Sequence, residues 1–423
     1  MAKGNPKADL TFPAFSNLNE SQREGMAAKK TVRDIEVEGK RVLVRVDFNV
    51  PLDRITGIIT DNSRIRATLP TIKYLINHKA RVILCSHLGR PNGKVVEALR
   101  MTPVAEQLSQ LINLPVSTVS DCIGPEVERA AENLNNGNIL LLENLRFHAG
   151  EKANDSSFAQ ALANLADIYV DDAFGTAHRT HASTVGVAKY LPAVAGFLME
   201  RELEALGSIL TNPEHPFSAL LGGAKVSDKI GLMQNIFDEV DLLLVGGGMA
   251  ATFLKVQGYE VGLSLVEADK QDLAHQILKA AEKNGVSLLL PIDVMVSDSI
   301  SPQAAGEVVS IADIPPNKYI ADIGPQTIEL FSQQIRQCRT IFWNGPMGVY
   351  EIPKFARGTR VLAELLSNLK ATTIIGGGST AEIVGEMKLT DKMTHVSTGG
   401  GASLNFLEGK SLPGVDVLLD KEQ

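Results

Sequence analysis

The sequence predicts an α/β protein made of two doubly wound parallel sheets that are joined by a helix. Short, continuously apolar runs alternate with amphipathic segments, as is typical of parallel strands that helices cover on both faces. The alternation occurs in each half of the 423 residues. A chain of this length exceeds what one hydrophobic core normally organises, so more than one domain is expected.

The predicted strands form a group of four and a group of six. They are residues 41–46, 81–85, 139–142 and 167–170 in the first half, and 218–221, 242–245, 287–290, 319–322, 340–343 and 372–375 in the second. Helices are predicted between them. In residues 67–78, for example, Leu69, Ile72, Leu75 and Ile76 make one apolar stripe at helical spacing.

One helix is predicted between the two halves. Residues 198–210 carry a strong helical pattern that ends in the breaker TNPEHP at residues 211–216. A single rigid helix at this point would let two domains move as bodies. The same pattern is also compatible with a helix inside one domain.

Composition excludes several classes of function. The net charge of −8 argues against bulk affinity for nucleic acid or an anionic membrane, and no apolar stretch has membrane-spanning length. Cys85, Cys122 and Cys338 are too few and too scattered for a disulfide framework or a metal site, so we expect reduced thiols in a cytoplasmic chain. Residues 1–25 lack apolar periodicity and a signal-peptide core, so we expect a disordered extension, or a start at Met26.

Side chains of the types that bind anions follow the predicted strands of the first half. Ligands of open α/β sheets bind beyond the carboxyl ends of the strands, and guanidinium groups hold phosphate or carboxylate with two hydrogen bonds. One such arginine is usually only a surface residue, but arginines after three successive strands predict a small polyanionic substrate. The cationic residues concerned are Arg64, His87, Arg90, Arg146, His178 and Arg179.

The second half places glycines at its strand ends instead. Residues 246–248 and 376–378 are Gly triplets, and a Gly-Gly turn precedes Lys225 and Lys229. We predict that both lysines open a helix and share its face, where like charges repel by about 0.2–0.5 kcal/mol unless an anion lies above them. Two solvated surface lysines are the alternative. With several glycine turns on one sheet, the pattern favours a mononucleotide cleft, although no P-loop or dinucleotide fingerprint is present.

Four motifs, in this order, resemble phosphoglycerate kinase. They are RVDFNVPL at 45–52, SHLGRP at 86–91, GGAKVSDK at 222–229 and WNGP at 343–346. The resemblance runs from about residue 29 to the C-terminus and includes GGGASL at 399–404.

The resemblance implies a cleft between two domains that close by hinge bending. Residues 26–197 would form the N-terminal domain that binds 3-phosphoglycerate, and residues 213–398 the C-terminal domain that binds the nucleotide. Residues 198–212 would be the interdomain helix, and residues 399–423 would return to the N-terminal domain.

The resemblance also implies roles for particular residues. Arg64 and Lys225 would be catalytic, because they would stabilise the transferring phosphoryl group. The residues that would hold 3-phosphoglycerate are Asp47, Asn49, Arg64, His87, Leu88, Gly89, Arg90, Arg146 and Arg179. The residues that would bind the nucleotide are Lys225, Lys229, Glu351, Gly377, Gly378, Ser379 and Thr380.

The chain departs from the family at the metal position. The family has Asp after the Gly triplet as a side-chain ligand of the nucleotide's Mg²⁺, whereas Ser379 stands here. A serine hydroxyl can bind Mg²⁺ but brings no charge. Glu382, one helical turn on, either contributes to the site or is a solvated helix residue.

The expected activity is reversible phosphoryl transfer between ATP and the carboxylate of 3-phosphoglycerate, in glycolysis and gluconeogenesis. The acceptor carboxylate is ionised at pH 7, so catalysis demands positioning and charge cancellation and no general base. ATP or ADP and Mg²⁺ would be the co-substrate and cofactor. We expect a monomer without nucleic-acid or membrane partners.

Two other classes compete with this interpretation. An NAD-dependent dehydrogenase is also doubly wound, but no strand here is followed by the spaced dinucleotide glycines and their acidic partner. A non-catalytic homologue that senses phosphoglycerate or nucleotide is favoured only by Ser379.

Overall fold

Two six-stranded parallel sheets organise the computed structural model, which describes residues 29–53 and 55–421. The strands of the first sheet are β1 (Arg41–Val46), β2 (Arg81–Cys85), β3 (Val116–Thr118), β4 (Ile139–Leu141), β5 (Ile168–Asp172) and β6 (Ala193–Ala195). Their order is β3-β4-β2-β1-β5-β6, and every pairing is parallel. The central strand β1 therefore lies between β2 and β5, where the chain order reverses.

Helices cover the faces of this sheet. They are α1 (Ser63–Asn77), α2 (Thr102–Ile112), α3 (Pro125–Glu132), α4 (Ala149–Ala153) and α5 (Ser156–Ala163). The next helix, α6 (Phe197–Thr211), follows β6 and leads to the second half of the chain. It occupies the position where the sequence predicts the connecting helix.

The strands of the second half form two sheets. They are β7 (Phe217–Leu221), β8 (Leu242–Val245), β9 (Ser287–Leu289), β10 (Asp293–Ser297), β11 (Glu307–Ser310), β12 (Tyr319–Ile323), β13 (Thr340–Asn344), β14 (Thr372–Gly376) and β15 (His395–Val396). The parallel sheet has the order β15-β14-β13-β7-β8-β9, and a small antiparallel sheet has the order β11-β10-β12. The predicted α/β fold class with two parallel sheets is confirmed.

The remaining helices all follow β7. They are α7 (Ile230–Ile236), α8 (Met249–Val256), α9 (Gln271–Asn284), α10 (Pro325–Ile335), α11 (Arg357–Leu366), α12 (Gly378–Glu386), α13 (Gly401–Leu407) and α14 (Pro413–Asp416). Within residues 29–53 and 55–421, none of the helices has the length and apolarity that crossing a membrane requires.

One predicted strand belongs to a different sheet. The apolar run at residues 319–322 reads like the other parallel strands, yet β12 pairs antiparallel with β10 in the small sheet. The strand itself was identified correctly. The neighbouring strand was not predicted correctly, because an apolar run indicates only that a strand is buried. It does not indicate which strand pairs with it. The predictions for residues 1–25 and Met26 lie outside the described residues.

The N-terminus of α6 is anchored to the first sheet by Asp172, the last residue of β5. Its Oδ1 accepts hydrogen bonds from the backbone N–H groups of Leu198 (2.8 Å) and Met199 (3.3 Å). A carboxyl group at this position caps the free N–H groups of the first turn. Burial raises the pKa of Asp172 to about 7, although these hydrogen bonds oppose the shift.

Glu202 anchors the same helix to the end of the second sheet. Its fully buried carboxylate accepts from Ser397 Oγ (2.7 Å) and from the backbone N of Thr398 (2.6 Å). His395 Nε2 lies 2.9 Å from the same carboxylate. Thus α6 is bonded at one end to β5 and along its length to the segment that leaves β15.

The last part of the chain returns to the first sheet. The backbone N of Gly414 donates to Ala177 O (2.8 Å), and the backbone N of Leu419 donates to Ala193 O (2.9 Å). These hydrogen bonds join residues at the end of the chain to residues that precede its second half. The predicted domain boundaries, at residues 197 and 213, stay a prediction.

Two glycines of the α6 region provide a matched test of this anchor. A Cβ on Gly196 would overlap the Asp172 carboxyl, whereas a Cβ on Gly207 would meet nothing within 4 Å. We expect Gly196→Ala to lower the free energy of unfolding by about 1–3 kcal/mol, as overpacking does. Gly207→Ala should raise it by roughly 0.5–1 kcal/mol, because alanine favours the helix. Urea unfolding of both variants checks this, and equal effects would contradict the tight Gly196–Asp172 packing.

Candidate active site

Asp47 stands directly after β1, at the carboxyl edge of the first sheet. Its Oδ2 accepts a hydrogen bond from the Arg64 guanidinium in the first turn of α1. Burial alone would raise the pKa of Asp47, but its interactions with His87, Arg64 and Arg45 together outweigh burial and hold that pKa below its usual range. The carboxylate is therefore ionised at neutral pH and ready to accept a hydrogen bond from a ligand.

His87 is a neutral hydrogen-bond donor toward the site. Burial is the main reason that its pKa lies well below the ordinary histidine value. Arg45 Nη2 lies 3.1 Å from His87 Nδ1. A guanidinium can only donate, so Nδ1 accepts and the ring proton is assigned to Nε2.

Arg45 itself is a residue that the sequence interpretation did not single out. It is fully buried, and its Nε donates to Ser183 Oγ (2.9 Å). Ser183 in turn donates to the buried carboxylate of Glu151 (2.7 Å). Arg45 opens the RVDFNVPL motif, but its position within a strand looks like that of any alternating residue. Only the packed structure shows that it fixes the tautomer of His87.

Arg146 and the loop after β2 form the next part of the site. Gly89 donates its backbone N–H to Asn49 Oδ1 (2.8 Å) and accepts from Arg146 Nη1 through its carbonyl (2.8 Å). Arg146 Nε is buried and has no hydrogen-bond partner in the part of the chain that the structure describes. Burial, with the positive charges of Arg179 and Arg45, lowers the pKa of Arg146 to about 10, although Glu151 and Asp47 oppose the shift. Positive charges are therefore crowded around this guanidinium.

Arg179 and His178 complete the cationic cluster. Arg179 Nε lies 3.3 Å from His178 Nε2, and His178 Nδ1 is buried without a hydrogen-bond partner among the described residues. The pKa of Arg179 is lowered by burial, and the positive charges of Arg45, Arg90 and Arg64 add to that effect. Arg64, Arg146 and Arg179 thus all interact electrostatically with Asp47, and Arg90 interacts with Arg179. Leu88 is buried, and Arg90 stays exposed.

The helix predicted to begin before Lys225 begins later. Residues 222–229 form turns, and α7 starts at Ile230 with Lys229 as its cap residue. The two lysines therefore do not share a helix face, and that prediction was wrong. The turns are held by close backbone packing, because a Cβ on Gly222 would overlap the carbonyl oxygen of Pro346. Sequence spacing gave no sign of this contact between loops.

The two lysines occupy different environments as a result. Lys225 is exposed, whereas Lys229 is buried and donates through Nζ to Asn344 Oδ1. Burial lowers the pKa of Lys229 to about 8. Asn344 is another residue missed from the sequence. It lies in the WNGP motif, but its amide could be placed beside Lys229 only by the pairing of β13 with β7.

A cavity of about 280 Å³ opens beside these lysines. Seven of its sixteen lining residues are glycines, and Asp228 is the one carboxylate in the lining. The lining comprises Gly222, Gly223, Ala224, Lys225, Asp228, Lys229, Asn344, Gly345, Pro346, Gly377, Gly378, Ser379, Thr380, Gly400, Gly401 and Leu404. The lining includes every residue predicted to bind the nucleotide except Glu351. Glu351 is exposed in a turn after β13.

The N-terminus of α12 faces this cavity. Gly377 has φ of +82°, which favours glycine, and it places Gly378 and Ser379 in the first turn of the helix. The free N–H groups of such a turn bind phosphate. Thr380 is fully buried, and its Oγ1 accepts from the backbone N of Gly345 (2.8 Å). Thr380 therefore fixes the WNGP loop at the cavity wall.

The segment 398–401 borders both the cationic cluster and the cavity. Gly400 and Gly401 line the cavity, and a Cβ on Gly401 would lie 3.9 Å from His178 Nε2. A Cβ on Gly175 would lie 3.1 Å from Thr398 O and 3.0 Å from Asp47 Oδ2. The two anion-binding regions are therefore neighbours across one short stretch of chain.

A second cavity, of about 320 Å³, is larger but carries none of this chemistry. It is lined by residues 33–37, Tyr74 and His78. None of the predicted site residues lies there, so we assign the active site to the cluster and the smaller cavity.

A cluster of basic side chains at the carboxyl edge of one parallel sheet and a glycine-rich cavity at the edge of the other define an α/β protein with the features of a phosphate-handling site. A family model described as phosphoglycerate kinase matches residues 32–410. The phosphoglycerate kinases of Pelotomaculum thermopropionicum and Moorella thermoacetica are 55% and 54% identical over 394 residues. That alignment covers 93% of this chain and 100% of each relative.

Solved structures agree with the sequence matches. The phosphoglycerate kinase of Coxiella burnetii gives a TM-score of 0.81 at 44% identity, over 92% of this chain and 98% of that chain. The enzyme of Pyrococcus horikoshii gives the same TM-score and coverage at 32% identity. The chain belongs to the phosphoglycerate kinase family, a family of phosphotransferases. The resemblance drawn from the motifs is confirmed.

The low pKa of Lys229 predicts a dependence of stability on pH. In the unfolded chain a lysine titrates near pH 10.4, so between about pH 8 and 10.4 the unfolded state binds more protons and folding becomes more favourable as pH rises. Below pH 8 the cost of burying the charge is fully present. Lys229→Met should remove this slope.

Urea unfolding from pH 7 to 10 measures the effect. The stability of Lys229→Met relative to the parent should be greatest at pH 7 and should fall as pH rises above 8. Lys225→Met is the control, because that exposed lysine stays hydrated in both states. A parallel pH profile for parent and Lys229→Met would contradict the burial of a charged ammonium.

Proposed function

We propose that this chain catalyses reversible phosphoryl transfer between ATP and the carboxylate of 3-phosphoglycerate, the reaction of its family in glycolysis and gluconeogenesis. One observation carries the proposal. The cationic cluster of the first sheet, through His178 and Asp47, and the glycine-rich cavity of the second sheet border the same segment, 398–401. A phosphorylated acid on one side and a nucleotide on the other would place donor and acceptor together.

The cationic cluster would hold 3-phosphoglycerate. The non-reacting phosphate would bind His87, Arg90, Arg146 and Arg179, because an anion there relieves the repulsion among buried cations. Asp47 would accept from the glycerate hydroxyl. Leu88 and Gly89 shape the loop that presents these groups.

Asn49 is also poised for the substrate. Its Oδ1 already accepts from Gly89 N, so its amide N–H groups are the part left to donate. They would bind oxygens at the glycerate end of the ligand. Asn49 and Asp47 together would therefore fix the orientation of the substrate relative to Arg64.

The chemistry requires charge cancellation on the transferring group. The attacking carboxylate is ionised at neutral pH, so neutral His87 need not act as a base. Arg64, which projects from the first turn of α1, and the exposed Lys225 would stabilise the equatorial oxygens of the phosphoryl group. Removing one such electrostatic group typically costs about 10²–10³ in rate.

The cavity would hold the nucleotide. Its phosphates would bind Lys229 and the first turn of α12, where Gly377 and Gly378 leave the backbone open. Thr380 would support that turn through the WNGP loop. Glu351 would reach the ribose hydroxyls from the rim, since it is exposed outside the cavity lining.

The residues present also fit a nucleotide-bound Mg²⁺. Mg²⁺ prefers oxygen ligands and usually keeps waters while it binds phosphates and one or two carboxylates. Ser379 and Asp228 both line the cavity and supply a hydroxyl and a carboxylate. Bound Mg²⁺ would neutralise phosphate charge during transfer.

Glu382 is less suited to this role than the sequence alone indicates. It is exposed, its Oε2 accepts from Tyr350 OH (3.2 Å), and it is not among the cavity-lining residues. The missing family carboxylate would therefore be compensated by Asp228 rather than by Glu382. We further propose a cytoplasmic monomer, which agrees with three free, buried cysteines.

The direct test is a coupled assay for ATP formation from 1,3-bisphosphoglycerate and MgADP. ATP formation that depends on both substrates supports the proposed activity. Binding of either ligand without turnover would support the non-catalytic alternative.

Arg64→Ala tests whether Arg64 stabilises the transferring phosphoryl group. We expect kcat to fall by about 10²–10³, with the affinity for ADP nearly unchanged, because Arg64 lies on the first sheet's side of the site. Arg66→Ala is the matched control on the same helix, since Arg66 is exposed and bonds only Asn62 in its own segment. Activity of Arg64→Ala within a few-fold of the parent would contradict the role.

Three substitutions distinguish the candidate Mg²⁺ ligands. Ser379→Asp should lower the Mg²⁺ concentration needed for half-maximal activity, because it adds a negative charge. Asp228→Asn should raise that concentration, and Glu382→Gln should leave it unchanged. A shift with Glu382→Gln and none with Asp228→Asn would reverse the assignment. Calorimetric titration of each variant with ADP, with and without Mg²⁺, checks the metal dependence independently of turnover.

A further inference from the structure

Three different metal-ligating groups meet outside the cleft. Asp121 and Cys122 lie in the loop between β3 and α3, and His148 lies just before α4. One ligand atom of each residue lies within 4.8 Å of the other two. None of the three has a role in the proposed phosphoryl transfer.

The cluster is held by the backbone around it. Asp121 Oδ1 accepts from the backbone N of Cys122 (2.6 Å) and lies 2.6 Å from His148 Nε2. The carbonyl of Asp121 accepts from the backbone N of Glu143 (3.3 Å). The ring of His148 packs on Phe158, with centroids 5.2 Å apart. The three side chains are therefore positioned before any ligand arrives.

The burial pattern gives the cluster an inner and an outer side. Cys122 is fully buried, whereas the side chains of Asp121 and His148 are 48% and 31% exposed. A small ion could therefore approach from solvent past the carboxylate and imidazole. The sulfur would then be its innermost ligand.

We propose that Asp121, Cys122 and His148 form a binding site for a thiophilic divalent cation of the Zn²⁺ type. Thiolate sulfur, imidazole nitrogen and carboxylate oxygen are the ligands such ions take, and three protein ligands leave the fourth tetrahedral position to water. Binding releases the proton of the Cys122 thiol to solvent, and His148 Nε2 must also be free of its proton. That proton moves to Nδ1 when the ring is neutral and leaves to solvent when the ring is charged. Mg²⁺ avoids sulfur, so this site is distinct from that of the nucleotide metal.

A second histidine–aspartate pair in the chain provides a comparison without a cysteine ligand. His215 Nδ1 lies 2.6 Å from Asp241 Oδ2, the same separation as in the cluster, but no third His, Cys or carboxylate ligand accompanies that pair among the described residues. Such a pair needs only a hydrogen bond to explain it. A buried sulfur within 4.8 Å of both other ligand atoms is the feature that distinguishes the Asp121–His148 pair.

Titration of the full chain with Co²⁺ tests the site. Co²⁺ bound to a thiolate gives an intense near-ultraviolet charge-transfer absorption, and tetrahedral Co²⁺ gives strong visible bands. We expect both to saturate at one equivalent and to disappear when Zn²⁺ is added. Cys122→Ala should abolish the charge-transfer absorption. His148→Gln should weaken Co²⁺ binding by roughly tenfold or more, since loss of even an outer partner of a ligand typically costs 10–100-fold.

Matched variants make the result specific. Cys338→Ala removes another buried cysteine, and His215→Gln removes the comparable histidine–aspartate pair, so both should keep the absorption of the parent. Thermal melting of each variant without metal verifies folding. If Cys122→Ala does not fold, loss of the visible bands in His148→Gln and Asp121→Asn decides the question. Absence of the charge-transfer absorption in the parent, or its persistence in folded Cys122→Ala, overturns the proposal.

Discussion

The burial of positive charge at the carboxyl edge of the first sheet is the constraint on which the rest of the structure depends. Arg45 is fully buried and Arg146 nearly so, and isolated charges are costly inside a protein unless they are paired. Glu151, through Ser183, and Asp47 supply part of the compensation. The positive charges that are not offset in this way lower the pKa values of Arg146 and Arg179. The carboxyl edge of the sheet is therefore a polar, positively charged site held in place by buried hydrogen bonds.

This constraint determines how the neighbouring groups behave. Arg45 cannot accept a hydrogen bond, so His87 Nδ1 accepts from it and the ring proton lies on Nε2. Burial keeps that ring neutral, which suits it to binding rather than proton transfer. The same principle operates in the second half, where burial lowers the pKa of Lys229 although Asp228 and Glu408 oppose the shift, and where Asn344 accepts from its ammonium. Phosphate binding would favour the charged form of Lys229. A bound phosphate would therefore raise the free energy of unfolding by offsetting the cost of burying that charge.

Helix α6 and the segment 398–401 bring these two regions together. Asp172 caps the helix from the first sheet, and Glu202 bonds it to the residues that follow β15. The segment beyond Thr398 then passes between His178 and the cavity. Because both carboxylates are buried, small changes in the helix position would disturb several strong hydrogen bonds at once. The position of α6 is therefore tied by hydrogen bonds to both sheets.

The sequence by itself determined the α/β class, the main parallel strands, the family, and the residue types of the site. These follow from local patterns, since apolar runs mark buried strands and motifs such as RVDFNVPL are contiguous. Tertiary structure decided what contiguous patterns cannot encode. It assigned β12 to the antiparallel sheet, moved the start of the helix beyond Lys229, and placed Arg45 behind His87. It also joined Cys122 to His148, 26 positions away in the chain, because side-chain partners are chosen by packing and not by spacing along the sequence.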